Sequence, residues 1–242
     1  MFCQYCGAQI EVNSRFCPKC GQSQSVGGAG IVPPGMPPNY IPPVQPPPAW
    51  TPPPGVQAHT GRWIGAGWQI VKEELGLFML FSLLFIILNG IVPILLQGPL
   101  LAGFFIVSTK KLLYGRFELG DFFKGFNFFV AALVASLLIA VFTFVGTLFC
   151  IIPGLVIAAI YQFTYLFIID KKMDFWPAMQ ASYALVKNDL FGFTIFFIAA
   201  VLLNVLGFLC CIVGVLATMP ILYAATTVAY KELVGFEPNT NF

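Results

Sequence analysis

The sequence predicts an all-α integral membrane domain: six transmembrane helices arranged as three repeated hairpins with interfacial helices. A small four-cysteine module precedes it on a proline-rich disordered linker. Three observations carry this expectation. The chain of 242 residues is 58% apolar and only 9% charged, with a mean hydropathy of +0.86, whereas an average soluble domain is roughly 25% charged. The apolar residues between Leu75 and Lys231 come in runs of bilayer length. The positive charges fall in only some of the gaps between those runs. The net charge of +2 comes with no concentrated basic face, so nucleic acid is not an expected partner.

The first segment is residues 1–22. Cys3, Cys6, Cys17 and Cys20 form Cys-x2-Cys-x10-Cys-x2-Cys, and Gly7 and Gly21 follow the two pairs. Two residues between cysteines let a tight turn aim both sulfurs at one ion, and the glycines tolerate positive φ there. Four thiolates close a tetrahedral site with no open position, so one structural Zn2+ is expected. Two disulfides are the rival, which a reducing compartment disfavours. Residues 2–22 resemble the short zinc ribbons at the N-termini of many prokaryotic proteins. So small a module builds no core, and metal binding must supply most of its folding energy. A protein contact or a simple folded cap is the expected use of the ribbon. Met1-Phe2-Cys3-Gln4 lacks the basic start of a secretory signal, so the first membrane segment is expected to act as an uncleaved anchor.

Residues 23–61 read as a linker without Lys, Arg, Asp or Glu, with prolines clustered from Pro33-Pro34 to Pro52-Pro53-Pro54. Such a stretch is extended and partly polyproline II, reaching ~100 Å at about 3.1 Å per residue. It reads as a spacer; a docking strip anchored by Tyr40 and Trp50 is the sharper alternative. His59, the one histidine, is expected to be solvated.

Residues 62–231 form the membrane domain, and 232–242 a short C-terminal tail. Apolar runs fall at 75–96, 99–113, 126–152, 154–169, 190–210 and 212–230. About 20 apolar residues cross a bilayer, with ~17 tolerable, so the second run is short and a re-entrant segment is its rival. Turns are expected at Gln97-Gly98-Pro99, Ile152-Pro153-Gly154 and Cys210–Gly214. Those connections carry no charge, while Lys110, Lys111, Arg116, Lys124, Lys171, Lys172 and Lys187 fill the others. Alternate basic loops place both termini in the cytoplasm of a cell whose inner or plasma membrane holds the chain.

The hairpins read as an internal repeat: Trp68–Leu75 aligns with Tyr183–Leu190, and Thr147–Val156 with Gly207–Leu216. Segments 61–74, 117–126 and 174–189 are expected to lie flat before each hairpin. Asp174 caps the third, Pro177 suits its first turn, and Trp176 and Tyr183 suit the headgroup level. The Ile152-Pro153-Gly154 stretch, Pro177-Ala178-x-x-x-Ser182 and the Gly214…Pro220…Ala224…Tyr230 ending resemble a group of prokaryotic membrane proteins. That group includes the membrane domain of some glycerophosphoryl diester phosphodiesterases. The resemblance implies the membrane fold and not the hydrolase, whose catalytic domain has no counterpart here.

Within membrane depth the polar residues are Asn89, Gln97, Thr143, Thr147, Gln162, Asn204, Thr218, Thr226 and Thr227. No ionisable residue sits mid-run, which argues against proton-coupled transport. Asn89, Gln162 and Asn204 read first as interhelix glue, and Cys150, Cys210 and Cys211 as small packing residues. No catalytic or cofactor-binding set is found, and no enzyme is expected. The expected function is a scaffold or adaptor that displays the ribbon to cytoplasmic partners. The alternative is a transporter, channel or lipid-handling protein working through the polar positions between repeats.

Overall fold

The computed structural model describes residues 50–209 and 212–237, and every element among them is helical. The four ribbon cysteines, the linker up to residue 49, Cys210, Cys211 and residues 238–242 lie outside the described residues.

Helix α1 (Thr60–Glu73) is amphipathic, with Trp63, Gly67 and Val71 buried four residues apart. It bends by 98° into α2 (Leu75–Ile91), the geometry expected of a helix lying across the start of a span. Helix α3 (Pro93–Tyr114) follows after the single residue Val92. The first expected turn is therefore misplaced: it lies at Val92, not at Gln97-Gly98-Pro99. Pro93 ends α2 because its ring disfavours the helical conformation for the residue before it, while its fixed φ starts α3. Gly98 and Pro99 instead lie inside α3 and are buried. A Cβ on Gly98 would collide with the carbonyl of Ala132 in the helix α5 described below, so this glycine permits a close helix–helix approach. The run expected to be short becomes a helix of 22 residues, about 33 Å at 1.5 Å per residue.

Helix α4 (Leu119–Phe123) opens with Asp121 accepting from the Glu118 N–H at 2.9 Å and continues through one 3₁₀ turn, Lys124–Phe128. Helix α5 (Phe129–Phe149) turns at Cys150 into α6 (Ile151–Tyr161). The second expected turn is thus also displaced: Ile152-Pro153-Gly154 is the first turn of α6. Proline is tolerated there because the first helical N–H groups have no intrahelical partner. The run then breaks at Gln162–Phe163 and resumes as α7 (Thr164–Asp170). Helix α8 (Phe175–Val186) is capped as expected, with Asp174 accepting from the Phe175 N–H at 2.8 Å, and Trp176 and Tyr183 are half exposed. A short 3₁₀ turn leads into α9 (Leu190–Leu209), and α10 (Ile212–Leu233) completes the unit.

Among the described residues, four helical runs are long and apolar enough to cross a membrane: Pro93–Tyr114, Leu119–Phe149, Ile151–Asp170 and Phe175–Leu209. The bent pair α1–α2 makes a fifth if it is taken as one span.

The long helices close on themselves: α2 packs on α3, α3 on α5, α5 on α6, α6 on α9, α9 on α10, and α10 on α2 and α3. Aromatic rings fill the interior. Phe81 stacks on Phe122 at 4.9 Å, and Phe104 meets the edge of Phe122 at 5.3 Å. Trp63 stacks on Phe193 at 5.9 Å and meets Phe196 at 5.2 Å. The last residues of the proline-rich stretch lie on this unit: Val56 is buried, Trp50 meets Phe167 at 4.8 Å, and the Ala58 N–H donates to Asp189 at 2.9 Å. Apolar Trp50 and Val56 interrupt the prolines and gain by burial. His59 is exposed, with its ring 6.1 Å from Trp63.

Candidate functional site: a cavity beside a broken span

The break between α6 and α7 has no proline or glycine to cause it. In an unbroken helix the Ile160 carbonyl would accept from the Thr164 N–H. Here the Ser182 hydroxyl, fully buried on α8, donates to the Ile160 carbonyl at 2.6 Å. A side-chain donor inserted into the ladder is a recognised cause of a kink, and it satisfies the acceptor that the break releases. Ser182 belongs to the Pro177–Ser182 stretch, whose packing role is thereby visible.

A cavity of about 530 Å³ lies beside the break, walled by α3, α5, α6, α7, α9 and α10. It brings together five of the polar residues singled out in the sequence: Gln97, Thr143, Thr147, Gln162 and Thr226. Gln97, Phe144 and Thr147 at its rim are exposed, whereas Ser136, Tyr165 and Thr226 are buried. Three of the lining hydroxyls have local acceptors. Thr147 donates to the Thr143 carbonyl at 2.7 Å, Ser136 to Leu133 at 2.8 Å and Thr226 to Leu222 at 2.9 Å. Two lining side chains carry buried polar atoms without a partner. The Thr143 hydroxyl and both amide atoms of Gln162 are buried without a hydrogen-bond partner. No lining residue is charged. Sequence reasoning missed Ser136, Tyr161, Tyr165 and Tyr223, which also line the space. Tyrosines in the middle of apolar runs were the available signal.

The remaining polar residues lie elsewhere. Asn204 accepts from Thr218 at 3.2 Å across α9 and α10 and donates to the Ala200 carbonyl at 3.0 Å, so it joins two helices. Thr227 is buried and donates to the Tyr223 carbonyl at 2.8 Å. Asn89 on α2 keeps a buried, unpartnered carbonyl oxygen outside the cavity. Cys150 is an exposed free thiol at the α5–α6 turn.

The ionised groups form a second feature. Lys110 and Lys124 flank Asp121 at 2.6 and 2.9 Å. Lys111 bridges Glu74 at 2.7 Å and Glu73 at 3.1 Å. Arg62 pairs with Glu232, which also accepts from the Trp63 indole at 2.8 Å. Asp170 accepts from the Tyr230 hydroxyl at 2.9 Å, and neighbouring Lys171 lies 3.1 Å from Glu237. These contacts tie the starts of α1, α2 and α4 to the ends of α3, α7 and α10. No Asp, Glu, Lys or Arg occurs in residues 75–109, 125–169 or 190–230.

Comparison with known proteins reaches both parts of the chain. Residues 2–23 match the family model of the zinc-ribbon domain. That match spans Cys3, Cys6, Cys17 and Cys20, a four-thiolate donor set that suits Zn2+. Uncharacterized proteins of Mycobacterium bovis and Mycobacterium tuberculosis are 32% identical over 103 residues, covering 43% of this chain. The chain spans about a third of the length of these curated relatives, 32% of each. No solved structure matches. These matches lend no support to the resemblance to the phosphodiesterase membrane domain. The chain therefore carries an N-terminal zinc-ribbon domain and, beyond it, apolar helices of membrane-spanning length.

Proposed function

We propose that this is a non-enzymatic membrane adaptor, with both termini in the cytoplasm and six crossings of the inner or plasma membrane. It displays a ribbon holding one zinc ion to a cytoplasmic protein partner. The observation that supports this most is the gathering of the ionised side chains at one end of the helical unit. The opposite turns, at Val92 and Cys150, carry no charge. Charged side chains are costly at membrane depth, and basic residues favour the cytoplasmic face. Trp50, the first described residue of the tether, meets Phe167 three residues before Asp170, so the described part of the tether reaches the ionic end. Helix α10, with 22 residues and about 33 Å of length, supplies the further crossing that six requires. A cytoplasmic ribbon sits where thiolates stay reduced.

Impermeant thiol labelling of intact cells tests the topology. In a chain with Cys210 and Cys211 replaced by serine, native Cys150 should label; cysteines placed at Gly120 and Asn188 should not. Labelling at either of those overturns the topology. Affinity capture from membranes then tests the adaptor reading. A partner held by the full chain and lost from a chain beginning at Ala49 supports it. Identical captures from both chains sink it.

A further inference from the structure

The cavity beside the broken span carries an inference that goes beyond the adaptor reading and does not depend on it. We propose that this cavity binds a neutral, single-chain amphiphile whose uncharged head, a hydroxyl or ester group, bonds to Gln162 and Thr143. Three features lead there.

The first is chemical incompleteness. Gln162 lines the cavity, and its carboxamide leaves two donors and an acceptor unused. The Thr143 hydroxyl lining the same space is also without a partner. A buried polar group without a partner bears its full desolvation cost, and an amide in hydrocarbon has no water to turn to. Both groups are enclosed, so a turn of each side chain toward the cavity it lines would let a ligand that both donates and accepts remove that cost. Buried polar atoms without a partner also occur away from the cavity, at Asn89, Ser108, Thr109 and Thr164, but Gln162 and Thr143 are the two such residues that line it.

The second is the absence of charge. None of the lining residues is Lys, Arg, His, Asp or Glu. A phosphate or carboxylate head would enter with no counter-ion, at a cost that isolated buried charges do not meet. The head is therefore neutral.

The third is size and shape. A volume of about 530 Å³ lies within the ~300–1,000 Å³ usual for small-molecule sites. It is room for about eighteen units the size of a water molecule at ~30 Å³ each, comparable to one acyl chain with a small head. Leu101, Phe105, Ile139, Ala158, Phe197 and Leu222 supply the apolar wall for that chain. The exposed rim at Gln97, Phe144 and Thr147 gives it a way in.

The test uses the full chain in phosphatidylcholine nanodiscs and a monoacylglycerol bearing a diazirine in its chain. Photolabelling should saturate, place adducts on the lining segments around residues 97–105, 136–165, 197 and 222–226, and be competed by excess mono-oleoylglycerol but not by oleoyl-lysophosphatidylglycerol. Gln162→Leu should weaken labelling by about two- to tenfold, the worth of one hydrogen bond. It should leave the melting temperature unchanged or raised, because it removes an unpartnered amide. Ala140→Trp, which fills the space from an exposed position, should abolish labelling. Labelling that fails to saturate or that persists in Ala140→Trp overturns the site. Equal competition by the anionic lysolipid overturns the ligand class. A lowered melting temperature in Gln162→Leu with unchanged labelling shows that the amide serves the fold alone, and also overturns the proposal.

Discussion

Replacing Gly98 with alanine distinguishes a turn from a helix–helix contact. Locally, Gln97-Gly98-Pro99 reads as a turn, and an alanine in a turn facing water would cost little. In the structure an added Cβ meets the Ala132 carbonyl oxygen and carbon, and the Leu133 nitrogen follows at 2.8 Å. These are main-chain atoms of α5, which no rotamer change can move aside. Overpacking of this kind costs about 1–3 kcal/mol. Against it stands the gain of alanine over glycine inside a helix, up to ~1 kcal/mol. The net expectation for Gly98→Ala is a loss of about 1–2 kcal/mol, and Gly98→Val should lose more. For a unit of this size the melting temperature should fall by roughly 2–8 °C, at 2–4 °C per kcal/mol. The assay is thermal unfolding of the full chain in detergent, followed by tryptophan fluorescence, since Trp63 is buried against Phe193 and Phe196. Gly90→Ala is the control, because nothing lies within 4 Å of a Cβ there; it should be neutral or slightly stabilising. If Gly98→Ala melts with or above the parent, α3 and α5 do not approach as described and the placement of the turn at Val92 loses its support.

Two further outcomes are expected. Ser182→Ala removes the donor to the Ile160 carbonyl and should destabilise the chain by about 1–3 kcal/mol, the cost of leaving a buried acceptor unpaired; Ser182→Thr, if it keeps the bond, should recover part of that loss. Residues 1–24, expressed alone under reducing conditions, should bind about one equivalent of zinc by metal analysis and fold with it; Cys17→Ser should lose most of it, and an unchanged zinc content would exclude Cys17 as a ligand.

The sequence by itself determined what depends on local chemistry and on the bilayer. The Cys-x2-Cys pairs specify a zinc-ribbon domain because four thiolates at that spacing suit one ion, and residues 2–23 match that family. Apolar runs determined that long helices exist, since only backbone bonded within itself crosses hydrocarbon. Asp174 announced the start of α8 because its carboxylate bonds the next N–H. The tertiary structure alone decided where the turns and the break fall. Local preference for a glycine before a proline favours the turn over the helix; the packing of α3 against Ala132 selects the helix. Nothing near Gln162 in sequence marks a break, because the hydroxyl that captures the Ile160 carbonyl comes from Ser182, 22 residues on. The cavity follows from that break and from the closing of six helices around it. Gln162 and Thr143 line the same cavity because packing brought their helices side by side, and no local preference records that neighbourhood.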